Sequence, residues 1–206
     1  MGYRDQVFIY HLTAISNLES ILENGLLSRK RIQKKKLNYC DVANPEIIEK
    51  RMDSNLENYV PFHWRSKTPF AGDVMKHNKD IDFCYILIRR TVAKDNDFKV
   101  VPTHPLHGVP EVLDYITGFN KINWDLMDTK DYSNEECKET SMAECLAPKV
   151  VNPKIFDSIC VKNTDSRSKV YNIILRSNLP HDEKECLKNR IWVNPAFFCK
   201  IGGFCL

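Results

Sequence analysis

An imidazole and a carboxylate suited to acid–base chemistry stand far apart in the sequence, at His11 and Glu144. His11 lies in the apolar run 7–12, and Thr13 would point to the same side of an extended chain. Glu144 stands where a polar stretch meets the apolar residues 145–147. Such groups can hold a hydroxyl or take a proton from a reacting atom. Each could equally be structural, as a hydrogen-bonded His at a strand end or an exposed Glu, so both roles stay open.

A run of cations suggests a second kind of function. Residues 29–36 carry six Lys or Arg side chains in eight positions. Like charges at this density prefer water to a protein core, so the run predicts a solvated, mobile loop. It could also supply sequence-independent attraction to nucleic-acid phosphates. The sequence position of the run does not choose between these readings.

Several common chemistries are excluded or disfavoured. The chain has seven glycines and contains neither a Gly-x-Gly-x-x-Gly turn nor a Gly-x-x-x-x-Gly-Lys phosphate loop. His104 and His107 form a weak zinc motif in a loop that contains proline, and we expect no metal. The cysteines form no Cys-x-x-Cys pair, so we expect buried thiols in a reducing compartment. They are Cys40, Cys84, Cys137, Cys145, Cys160, Cys186, Cys199 and Cys205.

The composition is that of a globular protein. The 206 residues are 43% hydrophobic and 28% charged, with a net charge of +3. This length can bury a core, and we expect one catalytic domain over residues 1–206. No apolar run approaches the roughly 18 residues that a membrane span needs. The first residues also lack a secretory signal's apolar run, which predicts a cytoplasmic protein without membrane contact.

Short strands mixed with a few helices must position the reactive groups. This mixture lacks regular βαβ alternation and predicts an α+β fold. Residues 28–58, 118–124 and 127–141 are expected to be mainly irregular. Apolar runs predict strands at 7–12, 59–64, 83–88, 98–101, 155–161 and 191–193, and helical spacing predicts helices at 45–51, 110–115 and 169–176.

Local signals set some boundaries. Ser16 and Glu19 have the spacing of a capping box, and Gly25 stands where a left-handed helix end belongs. Between them, Leu18, Ile21 and Leu22 would share one helical face. Pro61 inside its apolar run predicts an edge strand or a bulge.

Three segments in order carry a family resemblance. They are 10–28, with Tyr-His-Leu-Thr and Gly-Leu-Leu-Ser, then Tyr-Val-Pro-Phe at 59–62, and Ala-Glu-Cys-Leu at 143–146. Their order and spacing over residues 7–162 resemble DarT, a bacterial family of ADP-ribosyltransferases that modify bases in single-stranded DNA. The resemblance implies an ADP-ribosyltransferase-like fold with two small antiparallel sheets around an NAD cleft and helices at the periphery. It also implies transfer of ADP-ribose from NAD to a nucleobase with loss of nicotinamide.

The resemblance implies that Glu144 and Arg51 are catalytic. Cleavage of the nicotinamide glycosidic bond builds positive charge on the ribose, which the carboxylate of Glu144 would offset. Glu144 would also take the proton of the incoming base. Arg51 would contact the NAD phosphate and the transition state. The implied NAD-binding residues are His11, Thr13, Asn17, Leu27, Tyr59 and Phe62, the two rings lying against nicotinamide.

Residues 128–141 correspond in the resemblance to the loop that presents the acceptor. A base reached by such a loop must be unstacked, which favours a single strand as substrate. Aromatic rings could stack the base, and polar side chains could touch the base or the backbone. The candidates for nucleic-acid binding are His63, Trp64, Trp124, Lys130, Tyr132 and Lys138.

These expectations describe an NAD-dependent DNA ADP-ribosyltransferase, the toxin of a toxin–antitoxin or phage-defence system. By family analogy its partner would be a macrodomain antitoxin that removes the mark. Two alternatives stay open: an ADP-ribosyltransferase that acts on RNA, and a noncatalytic module that binds single-stranded nucleic acid. Residues 163–206 have no predicted role beyond completing the fold.

Overall fold

The computed structural model describes residues 2–198. Within that range the chain forms strands and helices in a mixed order, as an α+β fold requires. The strands are β1 (Phe8–Ala14), β2 (Leu26–Leu27), β3 (Tyr59–His63), β4 (Phe83–Arg89), β5 (Lys99–Val101), β6 (Glu144–Pro148), β7 (Val150–Val151), β8 (Ser158–Val161) and β9 (Ile191–Val193). The helices are α1 (Leu18–Asn24), α2 (Arg29–Lys35), α3 (Pro45–Asp53), α4 (Pro69–His77), α5 (Arg90–Asp95), α6 (Tyr115–Lys121), α7 (Trp124–Thr129), α8 (Glu135–Thr140), α9 (Thr164–Arg176) and α10 (His181–Lys188).

The strands form two sheets of unequal size. The larger has seven strands in the order β5-β6-β3-β1-β4-β8-β9, and the smaller pairs β2 with β7. All neighbours run antiparallel except β8 and β9, which are parallel. The α+β class and the two sheets are confirmed, with one large and one small sheet in place of two small ones.

The main sheet opens between two of its central strands. β1 pairs with β4 along its whole length but meets β3 at one position, Tyr10 opposite His63. β3 pairs fully with β6 on its other side, so Pro61 lies in an interior strand and the expected edge position is wrong. Pro61 is tolerated because its missing N–H falls where β1 has already separated. His11 bridges this gap, since its Nδ1 donates to the Pro61 carbonyl at 2.7 Å.

Both faces of the main sheet are packed. Alternate residues of β4 enter two different cores, Ile86 with helices α1 and α9, and Tyr85 with α4. Among residues 2–198, no helix has the length and apolar content that crossing a membrane requires. Of the cysteines, Cys84, Cys137, Cys145 and Cys160 are buried free thiols, Cys40 is half-buried, Cys186 is exposed, and Cys199 and Cys205 lie outside the described residues.

The basic run is a helix, not the expected mobile loop. α2 covers most of it and ends at Lys36, which adopts a left-handed conformation. Lys and Arg are good helix formers, and ion pairs anchor the first turn. Arg29 pairs with Asp41, and Lys30 lies 3.1 Å from Glu57.

Two other segments differ from expectation. Residues 110–115 do not form a helix, because Leu113 pairs with Val100 and α6 begins only afterwards. The segments 118–124 and 127–141, expected to be loops, contain α6, α7 and α8. The side chains of Asp114, Asn123 and Asn134 cap the N-termini of these helices. In such polar segments these capping residues do not stand out in the sequence.

The first helix starts differently from the predicted capping box. A 3-10 turn, Ile15–Asn17, leads into α1, whose start has no side-chain cap. The predicted apolar face is confirmed, since Leu18, Ile21 and Leu22 are buried. Gly25 ends the helix at φ 83° and ψ 162°, a conformation that glycine alone adopts readily.

Candidate active site

A cleft opens where β1 and β3 part. Its walls come from these two strands, from helices α2 and α3, and from the segments 37–43 and 104–106. Its open volume is about 1430 Å³, including the part that is open to solvent. The long excursion between α1 and β3 therefore forms one side of a site large enough for a dinucleotide.

Glu144 and Arg51 meet in this cleft. Glu144 begins β6 and lies opposite His63 on β3, while Arg51 comes from the last turn of α3. Arg51 Nη1 donates to Oε1 of Glu144 at 2.8 Å and to Oε2 at 3.0 Å. The side chains are 13% and 5% exposed, so each charge depends on the other. Arg51 Nη2 is buried without a hydrogen-bond partner among the described residues and is free to donate to a bound anion.

Three histidines surround this carboxylate. Burial lowers the pKa of His11 to about 4, and its bond to Pro61 places the proton on Nδ1 and leaves Nε2 as an acceptor. Burial also lowers the pKa of His63 and of His104, in each case against the opposing effect of the Glu144 carboxylate. All three rings are therefore neutral at pH 7 and can exchange hydrogen bonds with a neutral or anionic ligand.

Most of the residues expected to bind NAD line the cleft. His11, Thr13, Leu27 and Tyr59 do so, and the prediction that His11 and Thr13 share one side is confirmed. Asn17 also lines the cleft, although its amide is engaged at 3.0 and 2.7 Å by the backbone of Cys40.

The structure contradicts the expected role of Phe62 in binding NAD. Its side chain is fully buried and packs behind the His11 ring, with 5.5 Å between centroids. It cannot lie against nicotinamide, because its position on β3 directs it into the core with Val60. Its contribution to the site is to support His11.

The structure also contradicts the expected base-stacking role of two aromatic residues. Trp64 is 1% exposed and Trp124 is 4% exposed. Their rings contact each other with centroids 5.5 Å apart, and Arg90 covers both. They form a core between β3 and the helices α6 and α7, and no face is free for a base. His63, in contrast, lines the cleft beside Glu144.

The three remaining nucleic-acid candidates lie outside the cleft lining. Lys130 ends α7, with its ammonium 5.5 Å from the Tyr3 ring. Tyr132 lies half-buried on the turn between α7 and α8. Lys138 is exposed on α8, with Glu135 at 3.5 Å. The segment expected to present an acceptor is thus a pair of short helices beside the site.

Several cleft residues had no recognised signal in the sequence. Glu57 lines the cleft with a 10% exposed carboxylate, whose Oε2 has no hydrogen-bond partner among the described residues. His104 and Leu106 cover the end that contains Glu144. These residues belong to irregular segments, where periodicity carries no information. The sequence feature nearest to a signal is the spacing of His104 and His107, of which only His104 lines the cleft.

The histidine pair is engaged in protein contacts. His104 Nδ1 accepts from the backbone of Leu106 at 3.1 Å, and His107 Nδ1 lies 2.5 Å from Oε1 of Glu139. Within residues 2–198 there is no group of three or more His, Cys, Asp or Glu side chains arranged to hold a metal ion.

The split, mostly antiparallel sheet is that of an ADP-ribosyltransferase-like fold. The fold of the chain is similar to that of Thermus sp. 2.9 DarT in complex with ADP-ribosylated ssDNA, with a TM-score of 0.76 and 16% identity over 97% of this chain and 99% of that one. The chain belongs to the DarT family, because the family model described as "ssDNA thymidine ADP-ribosyltransferase, DarT" matches residues 10–198.

Two further comparisons involve one bacterium, Thermosipho africanus. Its DNA ADP-ribosyl transferase-DNA ADP-ribosyl glycohydrolase fusion protein (strain H17ap60334) is 24% identical over 181 residues, which are 84% of this chain and 47% of the fusion. The solved structure of T. africanus DarTG in complex with ADP-ribose has a TM-score of 0.74 and 20% identity, over 94% of this chain and 51% of that one. The chain thus spans about half the length of the curated relative it matches.

Proposed function

We propose that this chain is an NAD-dependent ADP-ribosyltransferase that modifies thymidine in single-stranded DNA. The observation that carries the proposal is the buried pair of Glu144 and Arg51 in a cleft lined by His11. The family supplies the acceptor, since its description names ssDNA thymidine. Complexes of Thermus sp. 2.9 DarT with NAD⁺ and with ADP-ribosylated ssDNA support both substrates.

The proposed reaction exchanges one bond for another at a single carbon of the donor. The bond between the ribose C1′ and the nicotinamide nitrogen breaks, and a bond from C1′ to the acceptor nitrogen forms. Positive charge develops on the ribose as nicotinamide leaves, and the buried Glu144 carboxylate stabilises it. The thymine N3 carries a proton that must leave when this nitrogen is glycosylated, and Glu144 is the acceptor for that proton.

The other residues of this chain bind and orient. Arg51 Nη2 suits a phosphate oxygen, while Nη1 holds Glu144 in one orientation. The neutral His11 ring offers Nε2 to a ribose hydroxyl or a carboxamide N–H. Tyr59 lines the cleft, which supports the role implied by the resemblance, an aromatic ring against nicotinamide.

The biological setting is part of the proposal. We propose that residues 1–206 act as one catalytic domain and that it is a toxin. Its partner would be a glycohydrolase antitoxin, as in the Thermosipho africanus fusion. The free buried thiols, such as Cys84 and Cys160, support a reducing, cytoplasmic location.

One experiment tests the function and its alternatives together. Purified protein is mixed with NAD and with matched single-stranded oligomers, of DNA with and without thymidine and of RNA, and products are weighed by mass spectrometry. We expect one added ADP-ribose on thymidine-containing DNA and none with Glu144→Gln. Adducts on RNA alone would indicate the RNA enzyme. Oligomer binding without any adduct would indicate a noncatalytic binding module.

A further inference from the structure

Arg65 is a buried cation without a counter-ion in the described part of the chain. Its side chain is 4% exposed, and Nε and Nη1 have no hydrogen-bond partner within the described residues. Its guanidinium lies between the rings of Tyr3 and Tyr132, 4.4 and 5.4 Å from their centroids. Aromatic faces stabilise a cation partly, yet they cannot accept its N–H bonds in plane. An unpaired buried guanidinium is costly, which points to an anion that binds there.

Two hydroxyl groups beside Arg65 have the same property. The Oη of Tyr132 and the Oγ of Ser141 are buried and lie close to each other, and neither has a hydrogen-bond partner of normal geometry among residues 2–198. Tyr132 connects them to Arg65, whose guanidinium lies over its ring. A guanidinium and two hydroxyls can all donate, so the ligand they fit is an anion with several acceptor oxygens.

The location of this cluster relates it to the acceptor. Arg65 follows His63 by two residues, a separation of at most about 7 Å along the chain. His63 faces Glu144 across the sheet, and Ser141 precedes Glu144 by three residues. The cluster therefore adjoins the catalytic end of the cleft, although Arg65 is not part of the cleft lining. A nucleic-acid strand spans the roughly 7 Å between His63 and Arg65 within about two nucleotides.

We propose that Arg65, Tyr132 and Ser141 bind a backbone phosphate of the acceptor strand, next to the nucleotide presented to Glu144. This inference rests on the proposed function. A phosphodiester offers two anionic oxygens that match the fork of a guanidinium. The donor diphosphate is the less suitable ligand, because the cluster lies outside the cleft. Tyr132 stands on a short turn between α7 and α8, so a small movement of this turn would open the guanidinium to the phosphate while the Tyr132 hydroxyl stays within reach of it.

Methylphosphonate scanning tests this contact directly. A single-stranded oligomer with one target thymidine is made with each backbone linkage in turn replaced by a neutral methylphosphonate. Binding is measured by fluorescence anisotropy with the wild-type protein in the absence of NAD, so that turnover does not interfere. We expect one linkage near the target whose replacement weakens binding about tenfold, as the loss of one charge-assisted contact would.

Combining this scan with Arg65→Met assigns the linkage to Arg65. We expect the variant to bind the unmodified oligomer about tenfold more weakly and to be insensitive at that linkage. The slope of log affinity against log salt concentration should also become less steep by about 1, the value for one lost phosphate contact. The matched control is Arg176→Gln, the loss of an exposed cation on α9, which should change none of these values.

Two results would overturn the proposal. One is unchanged oligomer affinity in Arg65→Met, and the other is full methylphosphonate sensitivity that persists in this variant. If Arg65→Met does not fold, Tyr132→Phe with Ser141→Ala replaces it, and sensitivity at the linkage must then fall at least threefold. Failure of the proposed function would look different: the wild-type protein would bind the strand at this linkage but form no adduct with NAD.

Discussion

One nitrogen of Arg51 holds both carboxylate oxygens of Glu144, at 2.8 and 3.0 Å. The two residues come from different elements, α3 and β6, and both side chains are largely buried. This arrangement fixes the carboxylate and leaves the second Arg51 nitrogen for a ligand. It also means that neither charge is tolerated there without the other.

The Arg51–Glu144 pair should be coupled in stability and in activity. Arg51→Met leaves a buried carboxylate unpaired and should reduce the free energy of unfolding by about 3 kcal/mol. The double variant Arg51→Met with Glu144→Leu should recover most of this loss, while each single variant and the double variant lose at least about a hundredfold in transfer rate. Urea unfolding and the oligomer assay measure the two quantities.

Lys121→Gln provides the comparison for this pair. Lys121 pairs with Glu111, and both side chains are about half exposed. Removing such a surface charge should cost less than about 1 kcal/mol and leave transfer unchanged. Equal stability losses for Arg51→Met and Lys121→Gln would contradict the view that the cleft pair is buried and mutually dependent.

The low pKa of His11 should make stability fall in mild acid. Burial lowers the folded-state pKa to about 4, below the roughly 6.5 of an unfolded His, so protonation favours the unfolded chain. The part of the folding stability that depends on a neutral His11 is fully present above pH 6.5 and is lost as the pH falls towards 4. Between pH 7 and pH 4, the wild-type protein should lose about 3 kcal/mol more than His11→Asn, measured by urea unfolding.

His11→Asn isolates this contribution because the amide nitrogen of Asn can still donate to Pro61. The carboxylates and the other histidines titrate in both proteins and cancel in the difference. Parallel stability curves for the two proteins across this pH range would show that the His11 ring is protonated freely in the folded state.

The strands and the central site residues were predictable, for different reasons. Apolar runs located β1 and β4, because burial on both faces leaves a continuous signal, and they also located the edge strand β9. The family motifs located His11 and Glu144, which the fold brings to one cleft. The alternation of side chains along a strand could also have excluded Trp64 as a base-stacking residue. Trp64 points away from the side of His63 and shares the buried face of Phe62.

Other features depended on contacts that the sequence does not display. α8 is polar throughout except for Cys137, so its helix appears only through the cap at Asn134. The burial of Arg65 requires Tyr3 and Tyr132, which are distant from it in the chain. Such positions are set by tertiary packing, and neither periodicity nor charge pattern indicates them.

Trp64 should behave as a core residue rather than a nucleic-acid contact. Its ring packs against Tyr115, Phe119 and Trp124, so Trp64→Ala should reduce the free energy of unfolding by about 3–5 kcal/mol. Oligomer affinity, measured where the variant is fully folded, should not change. The 41% exposed Trp192 is the control, and Trp192→Phe should cost less than about 1 kcal/mol. A large affinity loss in a stable Trp64→Ala protein would restore the stacking role.

Gly25 should be intolerant of a side chain for two separable reasons. Its φ of 83° is unfavourable for other residues, and an added Cβ would lie 2.7 Å from Val150 Cγ2. Gly25 precedes β2, which contributes Leu27 to the cleft and pairs with β7. Gly25→Ala should therefore lower the free energy of unfolding by about 2–4 kcal/mol and raise the KM for NAD.

Gly108→Ala separates backbone strain from the steric clash at Gly25. Gly108 has a similar φ of 78°, but nothing lies within 4 Å of its added Cβ, so this variant reports strain alone at about 1 kcal/mol. Adding Val150→Ala to Gly25→Ala should recover part of the loss, because it removes the clashing methyl group. No recovery would mean that the backbone of Val151, 3.1 Å from the added Cβ, is what limits this position.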